Sequence, residues 1–158
     1  MEKIFGKKLV IRVMTPADYA PALALWRMVS GVQLRGEDDT EAGIRKFLDR
    51  NPRTCFIAEL DGTAAGVLLS GHDGRRGFIY HTAVRPEYQR RGLGGFLTAA
   101  AENALRAEGI RKVALVAFKA NAEGNQFWEK AGFSVREDLV YRNKSLSGSA
   151  EQIITGVF

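Results

Sequence analysis

The stretch that decides the fold is Val84-Arg85-Pro86-Glu87-Tyr88-Gln89-Arg90-Arg91-Gly92-Leu93-Gly94-Gly95, which leads from an apolar run directly into a long helical pattern. Three glycines in four positions let the backbone approach a ligand closely, and the free N–H groups of a helix N-terminus favour phosphate. A P-loop would place a lysine and a hydroxyl residue after the turn, whereas Gly94 is followed by Gly95 and Phe96. The stretch therefore predicts phosphate binding without nucleotide hydrolysis.

The helical pattern after this loop consists of apolar residues that recur at spacings of three and four, ending at Gly109. They are Leu93, Phe96, Leu97, Ala100, Ala101, Ala104 and Leu105. Before the loop lie three apolar runs, Thr54–Leu60, Ala64–Ser70 and Gly77–Val84, and Asp61-Gly62 joins the first two. Asp-Gly between apolar runs is the strongest short hairpin signal. We therefore predict an antiparallel meander before the loop and a helix after it.

Weaker signals extend the pattern on both sides. Before the meander we predict a strand Leu9–Val13, a helix that starts at Thr15-Pro16 or, if Pro21 is to fall in the first turn, at Asp18 and reaches about Val29, and a helix from Thr40 stopped by Asn51-Pro52. After the long helix we predict a strand Lys112–Phe118, a helix Asn121–Ala131, and closing strands Phe133–Arg136 and Val140–Ser145. The resulting order, βααβββαβαββ, predicts an α/β (α+β) fold of three layers, in which helices flank a mixed, mostly antiparallel twisted sheet. We expect one domain over residues 1–146 and a partly disordered C-terminal tail over 147–158.

The composition is that of a globular protein. The 158 residues are 46% hydrophobic and 26% charged, and the longest wholly apolar runs, Ala64–Leu69 and Val113–Phe118, are far shorter than a membrane span. The N-terminus lacks the apolar segment of a secretory signal, so we expect a cytoplasmic protein with no membrane partner. The single cysteine, Cys55, lies in an apolar stretch, which favours a core residue over a nucleophile, and a chain of this length needs no structural metal.

The net charge of +5, from 23 Lys and Arg against 18 Asp and Glu, attracts polyanions. Charge alone does not distinguish nucleic acid, a phosphorylated cofactor and an acidic membrane. The basic residues are scattered along the chain without an aromatic ladder, so we expect no nucleic-acid partner.

Two motifs resemble those of a known family. Gln89-Arg90-Arg91-Gly92-Leu93-Gly94 is similar to the Gln/Arg-x-x-Gly-x-Gly/Ala signature of the GNAT N-acetyltransferases. Downstream, an asparagine, a small residue, an aromatic pair and a Gly-Phe follow in the family's order, here as Asn121, Gly124, Phe127-Trp128 and Gly132-Phe133. The resemblance implies transfer of the acetyl group of acetyl-CoA to a primary amine of a small molecule or a peptide, by direct attack in a ternary complex. It also implies a homodimer, which is common in the family.

The resemblance further implies that acetyl-CoA lies in a cleft where two central strands splay apart. The backbone of Thr82, Ala83 and Val84 would run beside the pantetheine arm, and the Val84 N–H would stabilise the oxyanion. The pyrophosphate would be bound by amides of Gln89, Arg90, Arg91, Gly92, Leu93, Gly94 and Gly95. The other side of the pantetheine would be lined by Asn121, Phe127, Trp128 and Lys130. The CoA phosphates would be neutralised by Lys119, Lys130 and the two arginines.

One departure from the family concerns the general acid. Many members have Tyr at the position of Trp128, where the hydroxyl protonates the departing thiolate, but an indole N–H cannot supply a proton at neutral pH. Tyr141 and Tyr80 are candidates to replace it, with Tyr141 favoured, and water is a third source because a thiol leaves fairly well unaided. The departure also keeps open a second function, a non-catalytic acyl-CoA-binding or sensor module.

The general base has two histidine candidates. His81 lies on the strand before the loop, from which some family members direct a Glu or His at the substrate, whereas His72 lies in a hairpin turn and is expected to be exposed. A structural role for His81 and a water chain to a distant carboxylate are alternatives. Strand alternation predicts two faces, with Phe78, Tyr80 and Thr82 on one and Ile79, His81 and Ala83 on the other. Alternation does not decide which face meets the acceptor.

The acceptor pocket has one candidate segment, Arg35-Gly36-Glu37-Asp38-Asp39, which lies where the family usually builds it. Its three carboxylates could receive a cationic amine. Acidic residues before a helix are also favoured by the helix dipole without any ligand. The identity of the acceptor therefore stays open at this point.

Overall fold

The computed structural model describes residues 3–147, and over that range it contains six strands and four helices. The strands are β1 (Lys3–Ile4), β2 (Lys7–Val13), β3 (Phe56–Leu60), β4 (Thr63–His72), β5 (Gly77–Val84) and β6 (Val113–Leu115). The helices are α1 (Tyr19–Met28), α2 (Glu41–Arg50), α3 (Leu93–Ala107) and α4 (Ala122–Lys130), with short 3₁₀ turns at Pro16–Asp18 and Pro86–Tyr88. None of these helices is both long and apolar enough to cross a membrane.

The strands form one sheet in the order β1-β2-β3-β4-β5-β6. Neighbouring strands are antiparallel except for β5 and β6, which are parallel. The predicted fold class, a mixed and mostly antiparallel sheet flanked by helices, is therefore confirmed. The hairpin at Asp61-Gly62 is confirmed as well, since these residues have φ of 48° and 78°, and two consecutive positive φ values are typical of the tight turn that joins twisted strands.

Each face of the sheet carries its own buried cluster. Ala22, Leu25 and Trp26 of α1 and Ile44 and Leu48 of α2 pack with Val67, Leu69 and Ala83 of the sheet. On the opposite face, Leu93, Leu97 and Ala101 of α3 pack with Ala58, Leu60, Leu68 and Ile79. Burial of one Leu or Ile side chain contributes about 1.5–3 kcal/mol. Both helical layers therefore hold the strands that frame the cleft described below.

The two predicted closing strands, Phe133–Arg136 and Val140–Ser145, are wrong, because these residues form no ladder within the described part of the chain. Apart from Phe133, which packs against Trp128, the apolar side chains of these segments are exposed: Val135 is 82% and Val140 is 74% exposed. Alternating apolar residues form a strand only where an edge pairs with them and a core covers one face.

The sequence also failed to predict β1, which consists of two residues and pairs with β2 through the turn at Phe5-Gly6. The observed order over residues 3–147 is therefore ββααβββαβα. The predicted tail over 147–158 lies, apart from Ser147, outside the described residues.

A buried charged cluster fixes the start of α1. Asp18 directly precedes the helix, as predicted, and its carboxylate accepts two hydrogen bonds of 2.8 Å from the Arg12 guanidinium and one of 2.8 Å from the Thr15 N–H. Arg12 also pairs with Glu59 on the neighbouring strand at 2.6 Å. The hydrogen bonds from Arg12, more than any other contact, lower the pKa of Asp18.

This cluster predicts a pH-dependent stability. Because the pKa of folded Asp18 lies below that of an unfolded aspartate, about 3.9, its charge stabilises the fold at neutral pH, and this contribution is lost as pH falls through the folded pKa. Asp18→Asn is expected to lower the free energy of unfolding by about 2 kcal/mol at neutral pH, and by progressively less in acid. Urea unfolding between about pH 3 and pH 7 measures the difference.

The matched control is Asp138→Asn. Asp138 also pairs with an arginine, Arg136, at 2.7 Å, but both side chains are more than half exposed, so solvent screens the pair. No measurable loss is expected for this control. A loss for Asp18→Asn that is the same at both ends of the pH range would contradict the assignment.

Candidate active site

A cleft opens where β5 and β6 separate. The two strands pair only over Gly77–Ile79 and Val113–Leu115. Beyond this point β5 continues to Val84, whereas the segment that follows β6 leaves the sheet. The cleft has a volume of about 1890 Å³ and is also bounded by the α1–α2 connection and by the starts of α3 and α4. A pocket for one drug-sized ligand typically measures about 300–1,000 Å³. The volume is therefore sufficient for two reactants side by side.

The Val84 amide points into this gap. The Arg85 N–H donates to the Ala65 carbonyl of β4 at 2.9 Å, and successive amides of a strand point to opposite edges, so the Val84 N–H faces away from β4. The Val84 carbonyl faces the same way and accepts a hydrogen bond of 2.9 Å from Gln89 Nε2. On this edge β6 pairs with β5 only as far as Ile79, which leaves the Val84 N–H directed at the open cleft.

The start of α3 presents a set of free amides. Gly92 has φ of 87°, a left-handed conformation that favours glycine, and its carbonyl accepts the first helical hydrogen bond, from the Phe96 N–H at 3.1 Å. The amides of the first three helical residues, Leu93, Gly94 and Gly95, precede that bond and have no partner within the helix. They form the kind of helix N-terminus that binds phosphate.

The side chains of the loop before α3 and of its first residue differ in whether they face the cleft. Gln89 and Arg90 line the cleft, and both also border a neighbouring polar cavity of about 500 Å³. Arg91 borders only that second cavity, and its guanidinium lies 5.0 Å from the centre of the Phe5 ring. Leu93 is 1% exposed in the core, so only its backbone is available to a ligand.

The opposite wall of the cleft begins at α4. Asn121 caps this helix, its Oδ1 accepting from the Gly124 N–H at 3.0 Å. The α1–α2 connection comes close at this point, since a Cβ on Gly31 would lie 2.5 Å from Asn121 Nδ2. Lys119 and Lys130, predicted to neutralise phosphates, are exposed and do not line the cleft.

The aromatic pair of α4 also lines the cleft. Phe127 packs on the start of α3, where a Cβ on Gly94 would lie 3.1 Å from its ring. Trp128 lies between Phe127 and Phe133, with ring centroids 4.8 and 5.3 Å away. Gly94 therefore permits close packing of α4 against the start of α3.

A bulge in β5 overturns the predicted alternation. The pairing with β4 passes from Val67↔Ala83 to Leu69↔Tyr80, which inserts one extra residue into β5, and His81 has φ of 35°. Ile79 packs in the cluster beneath α3, whereas Ala83 packs in the cluster beneath α1 and α2. The prediction that Ile79, His81 and Ala83 share a face is therefore wrong.

The bulge directs two consecutive side chains to the layer of α1 and α2. The Tyr80 ring lies 5.6 Å from that of Phe47 on α2, and the His81 ring lies 5.3 Å from that of Trp26 on α1. In a regular strand these neighbours would lie on opposite faces. The bulge thus decides which side chains meet in the cleft.

His81 is paired with a buried carboxylate. Its Nε2 lies 2.5 Å from Asp39 Oδ1, and Asp39 is 6% exposed. Asp39 is held in turn by the Arg35 N–H on Oδ2 at 2.5 Å and by the Tyr19 hydroxyl on its carbonyl at 2.9 Å, while Trp26 Nε1 donates to the His81 carbonyl at 2.9 Å. When Nε2 donates its proton to Asp39, Nδ1 is the nitrogen that can accept one.

Both tyrosine candidates line the cleft, with Tyr80 45% and Tyr141 67% exposed. Burial raises the pKa of Tyr80, and the neighbouring Tyr141 raises it further. The two tyrosines lie on different parts of the chain, Tyr80 on β5 and Tyr141 in the irregular segment after α4.

The remaining candidates lie elsewhere. The prediction that His72 is exposed is wrong, because its side chain is only 19% exposed and its Nε2 lies 2.6 Å from Glu108 Oε2 at the end of α3. Cys55 is completely buried, and burial raises the pKa of its thiol to about 12, as expected for a core residue rather than a nucleophile.

Comparisons with known proteins agree with this geometry. The sequence model of the acetyltransferase (GNAT) family matches residues 21–133. An acetyltransferase of Photorhabdus laumondii is 31% identical over 136 residues, which cover 85% of this chain and 94% of the relative. The chain therefore belongs to the GNAT acetyltransferase family, whose co-substrate is acetyl-CoA.

Solved structures show the same fold. The PaiA N-acetyltransferase of Thermoplasma acidophilum, in complex with coenzyme A, has a TM-score of 0.71 at 18% identity over 82% of this chain and 91% of that one. The aminoglycoside N-acetyltransferase AAC(6′)-Iy, in complex with CoA, has a TM-score of 0.71 at 22% identity over 88% of this chain and 96% of that one.

Proposed function

We propose that this protein transfers the acetyl group of acetyl-CoA to a primary amine of a small molecule or a peptide, by direct attack in a ternary complex. The proposal rests on one observation: a single cleft contains the free amides of α3, the Val84 N–H and the His81–Asp39 pair. A covalent enzyme intermediate is not needed, and the only cysteine is buried away from the cleft.

The donor side of the cleft fits a pyrophosphate and an extended arm. The three free amides of α3 carry the positive end of the helix dipole, and the Arg90 side chain adds a full charge beside them. The edge of β5 from Thr82 to Val84 has no ladder partner on the open side, so the backbone groups that face the cleft, apart from the Val84 carbonyl bonded to Gln89, are available to the pantetheine arm. Asn121, Phe127 and Trp128 line the opposite wall.

The Val84 N–H is the group that stabilises the oxyanion. The amine nitrogen, already deprotonated once, attacks the thioester carbonyl carbon, and a C–N bond forms. As the C–S bond breaks and the sulfur leaves as a thiolate, the nitrogen loses its second proton to solvent and becomes the amide. One preorganised N–H donor at the developing negative charge is typically worth about 3 kcal/mol.

His81 is the proposed general base. Its Nδ1 takes a proton from the acceptor ammonium, and Asp39 holds the ring and stabilises the imidazolium that forms. Asp39 acts through His81 and is therefore a positioning residue. The alternative of a water chain to a distant carboxylate is not needed where a buried carboxylate already holds the imidazole.

The departing thiolate needs a proton, and Tyr141 is the proposed donor. If it is, Tyr141→Phe should lower kcat by roughly 10²-fold or more while leaving acetyl-CoA binding nearly unchanged, because only the hydroxyl is removed. Tyr80→Phe is the matched control at the adjacent tyrosine. A kcat within about twofold of the parent for Tyr141→Phe would remove Tyr141 from the mechanism, and the same result for both variants would leave solvent as the proton source.

The function as a whole is tested by CoA release over a panel of amines and peptides at saturating acetyl-CoA. Release that depends on an added amine, with the N-acetyl product identified by mass spectrometry, is the expected result. Tight acetyl-CoA binding without release for any acceptor would instead indicate a non-catalytic acyl-CoA-binding module. Light scattering on the same preparation tests the expected homodimer.

A further inference from the structure

An aromatic wall, consisting of Phe47, Phe78 and Tyr80, lines the half of the cleft between α2 and β5. The rings contact one another: the centroids of Phe47 and Tyr80 are 5.6 Å apart at 85°, and those of Phe78 and Tyr80 are 4.7 Å apart. Tyr80 remains 45% exposed. Aromatic side chains that stay exposed together in a concave site typically mark a ligand surface.

The aromatic wall is continuous with the reaction centre. Tyr80 and His81 are consecutive, and the bulge in β5 turns both toward the same layer. A positive φ at a non-glycine residue such as His81 is strained and persists where the surroundings demand it. Here its effect is to bring an aromatic surface next to the proposed base.

Charges in this half of the cleft are balanced among the described residues. The carboxylates that line it are Asp38, Asp39 and Asp49, and the cations are Arg35, Lys46 and Arg50. Asp39 is already engaged by His81. An acceptor with several ammonium groups would therefore find no excess of negative charge here.

We propose that the acceptor is a primary amine whose short carbon chain carries an aromatic ring, which packs on the aromatic wall while the amine lies at His81. Rings pack well edge-to-face against such a surface, and an ammonium near aromatic faces is attracted by their quadrupoles. A single amine also matches the balanced charge. The inference rests on the proposed acetyl transfer and adds the substrate class.

Steady-state kinetics at saturating acetyl-CoA test the inference with 2-phenylethylamine, n-butylamine and the polycationic neamine. The expected kcat/KM for 2-phenylethylamine is at least about tenfold that of the other two, which is within the range a filled apolar pocket supplies. The tripeptides phenylalanyl-diglycine and alanyl-diglycine form a second pair. If only the free amines show a preference for the substrate with a ring, the acceptor is a small molecule. If the tripeptides show it as well, the substrate class extends to peptide N-termini.

Variants of Phe47 test whether the aromatic wall causes the preference for an amine with a ring. Phe47→Ala should reduce the ratio of kcat/KM for 2-phenylethylamine over n-butylamine about fivefold, mostly through KM, and Phe47→Leu should reduce it less. The control is Arg45→Ala on the same helix, because Arg45 is exposed and lies outside the cleft. Both amines are measured on one preparation, so a lower folded fraction in Phe47→Ala does not change the ratio.

The outcomes separate this inference from the proposed function. Three results would overturn the aromatic subsite while leaving acetyl transfer intact. They are a ratio of kcat/KM for 2-phenylethylamine over n-butylamine near one in the parent, a ratio that Phe47→Ala leaves unchanged, and a preference for neamine. If no amine in the panel releases CoA, the proposed function fails and the inference fails with it.

Discussion

Gly95→Asp is expected to raise the Kd for acetyl-CoA by about 10³-fold without harm to the fold. Gly95 is the third residue of α3, and a Cβ added there meets no atom within 4 Å. An aspartate in the first turn of a helix is itself stabilising. A unit charge about 4 Å from a phosphate costs about 4 kcal/mol at an effective dielectric constant of about 20, which corresponds to about 10³-fold in Kd.

The neutral control for this prediction is Gly95→Asn, which has the same size without the charge and should keep Kd within about tenfold of the parent. Gly94 is the poorer position, because a Cβ there would lie 3.1 Å from the Phe127 ring and any effect would mix charge with packing. Calorimetry with acetyl-CoA and thermal unfolding of each variant provide the comparison. An unchanged Kd for Gly95→Asp would remove the start of α3 from the phosphate site.

Local chemistry made much of this fold predictable. Asp61-Gly62 specifies its hairpin because both residues tolerate a positive φ, and Asp18 is identifiable as the residue before α1 because Pro21 is acceptable only in a first turn. The start of α3 could also be predicted, because Gly92 supplies the left-handed conformation before a strongly periodic helix. In each case one or two residues determine the backbone without help from distant contacts.

The features that the sequence missed depend on tertiary contacts. Regular alternation cannot predict the bulge at His81, because an extra residue in one strand is defined only by its pairing with another. The role of Asp39 was ambiguous for the same reason: an acidic residue before a helix is favoured by the dipole, and only the folded chain brings His81 within 2.5 Å of it. The two predicted closing strands do not form because no core covers their apolar residues, such as Val135.

His81→Ala is expected to lower kcat by about 10³-fold, within the 10² to 10⁴ that a general base contributes. Acetyl-CoA binding should stay within about twofold of the parent, because His81 is proposed to act on the acceptor. Added imidazole should restore part of the activity by occupying the vacated space, which a purely structural histidine would not allow. His72→Ala is the matched control, since His72 pairs with Glu108 at 2.6 Å just as His81 pairs with Asp39 at 2.5 Å.

Asp39→Asn tests the positioning role of Asp39. It keeps the shape of the side chain and removes the charge that is proposed to hold the imidazole and to stabilise its protonated form. On its own it should lower kcat by about 10²-fold. Combined with His81→Ala it should cost little beyond His81→Ala alone, since a positioning residue has nothing left to position. Losses that simply multiply in the double variant would mean that Asp39 acts independently of His81. A kcat for His81→Ala within about threefold of the parent would transfer the role of base to a water chain.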